Sequence, residues 1–182
     1  RDAQGVSAVQ VTDGGLGYNE AQNGRIFAVI GISGILTQAF LMGPLSRYFG
    51  PARLLTLSCL LTGTGLVLIP YTQEEYALIQ LVICAIIISI GSGVFQPASS
   101  TILTIFAKRD GLNLGIVMGA QESVSSFARI LGPLTGGVVW TYTVSRDWPF
   151  DYHTAFHLCG VMMLLSAALS LKVQSYAKET TV

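Results

Sequence analysis

Five long, almost unbroken apolar stretches divide the chain, at roughly 22–46, 53–71, 77–107, 112–140 and 154–173, with short polar segments between them. Each reaches the ~20 residues that a helix needs to cross about 30 Å of hydrocarbon. Lipid offers no partner for an unsatisfied backbone group, so a spanning segment is a helix or a strand of a closed barrel. Continuous runs, as opposed to alternating ten-residue ones, select helices. The pattern predicts an all-α integral membrane protein with five transmembrane helices. Residues 1–21, with the Gly-rich run TDGGLGYNEAQ, read as an extracellular or lumenal loop or tail, 22–173 as the helical bundle, and 174–182 as a cytoplasmic tail.

Composition agrees. The chain is 51% hydrophobic and 11% charged, with a mean hydropathy of +0.59; soluble domains carry about 25% charge, and so few charges do not make a water-exposed surface. A soluble enzyme is thereby excluded. Ten basic and ten acidic residues give zero net charge, without a polybasic cluster, so nothing marks a nucleic acid as partner. Cys59, Cys84 and Cys159 each sit in an apolar run without metal-ligand spacing, which reads as packing, and no metal or cofactor is expected. The chain begins at Arg1 and shows no basic leader with a cleavage site, so it reads as a fragment.

Orientation follows from the cations. One set of helix ends holds Arg47, Arg53, Lys108, Arg109, Lys172 and Lys178, the other Arg1, Arg25 and Arg146; six against three makes the first side cytoplasmic. At the opposite boundary Trp140, Tyr142, Trp148 and Tyr152 form an aromatic belt. His153 and His157, spaced i, i+4 beside it, have a zinc-compatible geometry but supply only two ligands, and read as a cap or helix-end pair.

Gly115 and Gly119 stand at small-xxx-small spacing, a signature of close helix approach in lipid, while Gly63 and Gly65 lie on different faces of their helix. Pro97 and Pro133 fall at membrane depth, where each removes a backbone bond and permits a bend. In the fourth span Gly115, Gly119, Glu122, Ser126, Arg129 and Pro133 recur at steps of three and four, along one face that should meet other helices. Charge at bilayer depth costs at least ~2.5–3.5 kcal/mol per group, so Glu122 and Arg129 should face protein or a wet cavity. They are seven residues apart, about 10.5 Å along the axis, which favours a bridging water over a direct ion pair. Glu122 reads as a titrating carboxylate and Arg129 as the group that attracts an anion or organises the proton site; the bland reading is a polar network tying this helix to its neighbours. Gln38 and Gln96 are candidates for a solute cavity. Interhelical hydrogen bonding explains Gln80 and Gln121 as well.

Two motifs carry a resemblance. The loop GPLSRYFGPAR, in which Gly43 and Gly50 permit a tight turn, resembles the cytoplasmic Gly-x-Leu-x-Asp-Arg-x-Gly-Arg-Arg loop of the major facilitator superfamily, matched by Gly43, Leu45, Arg47, Gly50 and Arg53 with Ser46 read at the acidic place. The stretch GSGVFQPASSTILT followed by KRDGLNLGIVMGAQESVSSFARILGPLTGG is similar to the tenth and eleventh helices of drug:proton antiporters of the tetracycline-efflux type. The resemblance implies helices eight to twelve of a twelve-helix transporter, with the N-terminal half of the same chain as missing partner. It also implies that the usual coupling carboxylates of that branch lie in the missing half.

The reading is therefore a multi-pass protein of a plasma or organelle membrane, with lipid bilayer and a small organic solute as partners, that moves the solute by alternating access and proton-coupled antiport. The alternatives are an organic-anion or metabolite carrier of the same fold, or a non-transporting scaffold or receptor. An intramembrane hydrolase is disfavoured because no Ser-His, paired-Asp or His-Glu constellation lies at membrane depth.

Overall fold

Residues 18–72, 74–144, 146, 150–151 and 153–179 are described by a computed structural model, and among them there is no strand. α1 (Glu20–Leu36) starts at a capping box in which the Asn19 side chain accepts from the Gln22 amide and the Gln22 side chain from the Asn19 amide, both at 2.8 Å. It runs through a π turn, Thr37–Leu41, into α2 (Met42–Phe49). Pro44 explains the wide turn, because its ring cannot sit against the carbonyl four residues back in regular α geometry. The Met42 amide bonds instead to the Thr37 carbonyl, five residues away.

Gly50 then turns the chain with φ 75°, a conformation only glycine adopts without strain, and Pro51 opens α3 (Pro51–Leu68) at a helix N-terminus, where its missing N–H is harmless. Gly43 lies inside α2 with open space beside it, so the tight turn belongs to Gly50 alone. α4 (Ala77–Arg109) ends in a Schellman motif: Leu112 N–H bonds to the Ala107 carbonyl at 2.8 Å, Gly111 N–H to Lys108 at 3.4 Å, and Gly111 takes φ 65°. Arg109 donates two hydrogen bonds to the adjacent Asp110, which hold that carboxyl below its usual range. Asn113 caps α5 (Leu114–Thr143) by accepting from Gly115 and Ile116. α6 (His153–Glu179) closes the described chain.

Four stretches, Glu20–Phe49, Pro51–Tyr71, Ala77–Arg109 and His153–Ser175, combine the length and hydropathy to cross a membrane. α5 has the length, at 30 residues, but Gln121, Glu122, Arg129 and its serines dilute its apolar run. α6 continues as a helix through residues 174–179. Trp148 and Tyr152 of the expected aromatic belt, and most of the N-terminal tail, lie outside the described residues.

Glycine builds the packing. α3 is central: Gly63 faces α6, where a Cβ would lie 3.1 Å from the Gly160 carbonyl oxygen, and Gly65 faces α4, where a Cβ would lie 2.5 Å from Ile88. Gly91 of α4 presses on α3 so closely that a Cβ would fall 2.8 Å from the Ser58 carbonyl and overlap Thr62. Such backbone contact supplies dispersion and interhelical polar contact where lipid removes the hydrophobic drive. Leu54, Val94 and Ala98 are buried at this seam, with Met42, Leu45 and Leu55 against them. α1 docks on α4 through small residues: Ser89 Oγ donates to the Ile30 carbonyl at 2.6 Å, and Gly93 lies against Thr37.

Candidate functional site

The polar stripe of α5 is the most unusual surface of the chain, since Gly115, Gly119, Glu122, Ser126, Arg129 and Pro133 are all exposed. The face that α5 turns to its neighbours is a different one, with Met118, Gln121 and Ser125 partly covered and Thr143 buried. Ser100 of α4 and the Gln121 amide exchange hydrogen bonds of 3.1 and 3.4 Å, and at the far end Trp140 meets the Phe156 ring edge-on at 6.3 Å. From Ser126 to Val138 every side chain is exposed.

Among the described residues, then, no helix meets the charged face as expected. Nothing lies within 4 Å of a Cβ at Gly119, and a Cβ at Gly115 would touch only the capping Asn113 oxygen, so neither glycine serves a helix contact here. The bridging water is corrected too: Arg129 Nη1 lies 3.5 Å from Glu122 Oε1 in a direct ion pair, with side chains 68% and 59% exposed. Two long side chains leaning toward each other cover the two helical turns between them.

Gln38 follows the buried Thr37 in the π turn and is exposed. Gln96 is exposed one position before Pro97, inside α4, and Pro97 leaves the Gly93 carbonyl without its intrahelical amide partner. Because Gly93 packs on Thr37, the wide turn of α1 and the proline of α4 are neighbours across one interface. Pro133 does to Arg129 what Pro97 does to Gly93, removing the amide four residues on from its carbonyl.

At the loop of residues 43–53 Leu45 packs on the core, Ser46 Oγ donates to the Gly43 carbonyl at 3.1 Å, and Arg47 and Arg53 are exposed with no ion-pair partner among the described residues. Counted from Gly43 in the motif's spacing, the acidic place falls on Arg47, a correction of one residue to the assignment of Ser46. The two arginine places after Gly50 hold Pro51 and Ala52, with Arg53 next. The loop thus keeps the motif's glycines and leucine and has a cation where the motif has a carboxylate.

One polar cluster escapes sequence reasoning. Thr56 of α3 lies 2.6 Å from Ser170 and accepts from Gln174 at 2.6 Å, joining α3 to α6; Ser170 and Gln174 share a helix face, but Gln174 falls past the end of the apolar run that marks the span. At the opposite end Asp151 bonds to the His153 ring at 2.8 Å and accepts from its amide at 3.0 Å, the capping role expected there. The rings of Tyr71, His153 and His157 stack at centroid distances of 5.5 to 6.0 Å. Among the described residues no group of three or more His, Cys, Asp or Glu side chains is placed to hold a metal.

The family model for the Major Facilitator Superfamily matches residues 5–181. The chain belongs to that superfamily. Multidrug resistance protein 1 of Bacillus subtilis (strain 168) is 28% identical over 150 residues, 82% of this chain and 36% of that protein. Tetracycline resistance protein, class B, of Escherichia coli is 21% identical over 175 residues, 95% and 42% of the two chains. The major facilitator superfamily multidrug transporter mfsB of Aspergillus fumigatus is 31% identical over 151 residues, 82% and 25%. The chain thus spans well under half the length of these relatives. No solved structure matches it. Family and helices together make it a multi-pass membrane protein of a transporter family, and not of an enzyme family.

Proposed function

We propose that this chain forms part of the C-terminal half of a proton-coupled efflux transporter for small organic molecules, comprising helices eight to twelve. The observation that carries the reading is the Glu122–Arg129 pair on a face of α5 that no other helix among the described residues covers. Charged side chains at membrane depth mark pathways and proton relays and face a bundle interior or a water-filled cavity. Here that interior is the space between this unit and the half of the transporter that the chain does not include, and α5 crosses the membrane as the fourth of five spans. Gly115 and Gly119 then pack against a helix of the other half. Resistance to drugs or to tetracycline in the names of two relatives, and multidrug transport in that of a third, supports efflux as the direction of transport.

In such a site substrate binds near the midplane and the two halves rock about it. Arg129 holds the Glu122 carboxylate when that is ionised; protonation weakens the pair and frees the guanidinium. Gln38 and Gln96 offer neutral hydrogen-bonding groups that hold a solute loosely. The cation bias places Arg47, Arg53, Lys108, Arg109 and Lys172 at the cytoplasm. The test is efflux of a fluorescent cationic drug from vesicles containing the whole transporter, with and without an imposed pH gradient. Drug accumulation that follows the gradient and collapses with a protonophore supports the reading. Gradient-independent transport moves it to a uniporter, and no transport of drugs or organic anions moves it to a scaffold.

A further inference from the structure

The polar end of α4 and the last third of α6 line an open surface pocket of about 350 Å³ formed by Phe106, Arg109, Asp110, Lys172 and Val173. It lies apart from the α5 stripe, and neither the transport reading nor the superfamily loop uses it. Its walls are mainly apolar. Phe106 supplies a ring, over which the Arg109 guanidinium sits at 5.0 Å, and Val173 an aliphatic face. The charges stand at its rim. Two cations, Arg109 and Lys172, face one carboxylate, Asp110, which is bound to Arg109 Nε at 2.6 Å and Nη2 at 3.0 Å. The rim therefore carries a net charge of one positive unit, concentrated on the Lys172 side.

Depth identifies the occupant. α4 has 33 residues, about 50 Å by the helical rise, against roughly 40–45 Å for a bilayer with its headgroups. Its Arg109 end thus stands at headgroup level, with Phe106 one turn deeper. A soluble anion would find the rim but nothing for the apolar walls to bind. A zwitterionic lipid would fill the walls without answering the net charge.

We infer that this pocket is a binding site for an anionic phospholipid, with the phosphate at Lys172 and Arg109 and the first part of an acyl chain along Phe106 and Val173. Asp110 competes with the phosphate for Arg109, which sets the affinity below what two unopposed cations would give. The inference rests on the membrane placement of α4 and α6 and is independent of proton coupling.

The experiment is native mass spectrometry of the whole transporter after delipidation, titrated with phosphatidylglycerol or phosphatidylcholine, with inorganic phosphate as the soluble competitor. Phosphatidylglycerol should be retained in preference to phosphatidylcholine and should resist millimolar phosphate. Lys172→Gln should lower phosphatidylglycerol retention about fivefold, the loss of one cation near a membrane surface. Asp110→Asn should raise it, and Arg146→Gln, at the other membrane boundary, should leave it unchanged. Retention that is equal in wild type and Lys172→Gln, or that falls equally in Arg146→Gln, overturns the site. Displacement by phosphate alone would reduce it to an anion subsite with no lipid specificity, which also overturns the inference.

Discussion

Arg129 reaches back along α5 to place its Nη1 atom 3.5 Å from Glu122 Oε1, across two helical turns of a face that no other helix among the described residues covers. In the whole transporter Glu122→Gln keeps the side-chain volume but cannot exchange a proton. Transport by this variant should lose its dependence on pH while the amount of folded protein stays normal. Proton-coupled transport indistinguishable from wild type would return Glu122 to a structural role.

Arg129 separates charge from shape. Lysine retains the cation without the planar five-donor fork, and alanine strands the carboxylate. Transport rates should fall in the order wild type, Arg129→Lys, Arg129→Ala, with all three proteins extracted at similar yield and melting temperature. Severe and equal misfolding of both variants would show the residue to be architecture.

The glycine seams are expected to be intolerant where they touch backbone and tolerant where they are open. Gly91→Leu must displace Thr62 and the Ser58 carbonyl, an overpacking that costs about 1–3 kcal/mol, visible as a lower melting temperature in detergent. Gly24→Ala enters open space within α1 and should instead stabilise by about 0.5–1 kcal/mol through helix propensity. Equal effects at the two sites would contradict the packing.

Topology follows from labelling. In a background without Cys59, Cys84 and Cys159, a cysteine at Glu75 should react with an impermeant maleimide added to intact cells, whereas one at Lys108 should react only after permeabilisation. Both positions are exposed. The reverse pattern would invert the orientation drawn from the Lys and Arg bias.

The fold was legible because its dominant constraint, backbone satisfaction in lipid, is written in the length of the apolar runs. Gly50 and Gly111 both adopt the positive φ that a glycine between two helices suggests. Less legible was which glycines pack. Gly115 and Gly119 have the familiar spacing and touch no other helix among the described residues, while Gly91 and Gly160 are pressed onto α3 without it. Spacing identifies a face but not what lies opposite, and that depends on the arrangement of all the helices. The direct Glu122–Arg129 contact was missed for a related reason, because axial separation ignores how far two long side chains extend along the helix. The Thr56, Ser170 and Gln174 cluster joins residues more than a hundred positions apart, a pairing that no local pattern records.

α5 is held at two places, near Gln121 by the bonds to Ser100 and at its last turn by Trp140 against Phe156. Mechanically it is a beam supported at two points, with the exposed stretch from Ser126 to Val138 as its free span. Stiffness along an α-helix comes from its ladder of backbone bonds, and Pro133 removes one rung within that span. A side load on this helix is therefore concentrated as curvature between Arg129 and Pro133. The guanidinium end of the ion pair stands on that compliant stretch of α5, while the carboxylate stands next to a support.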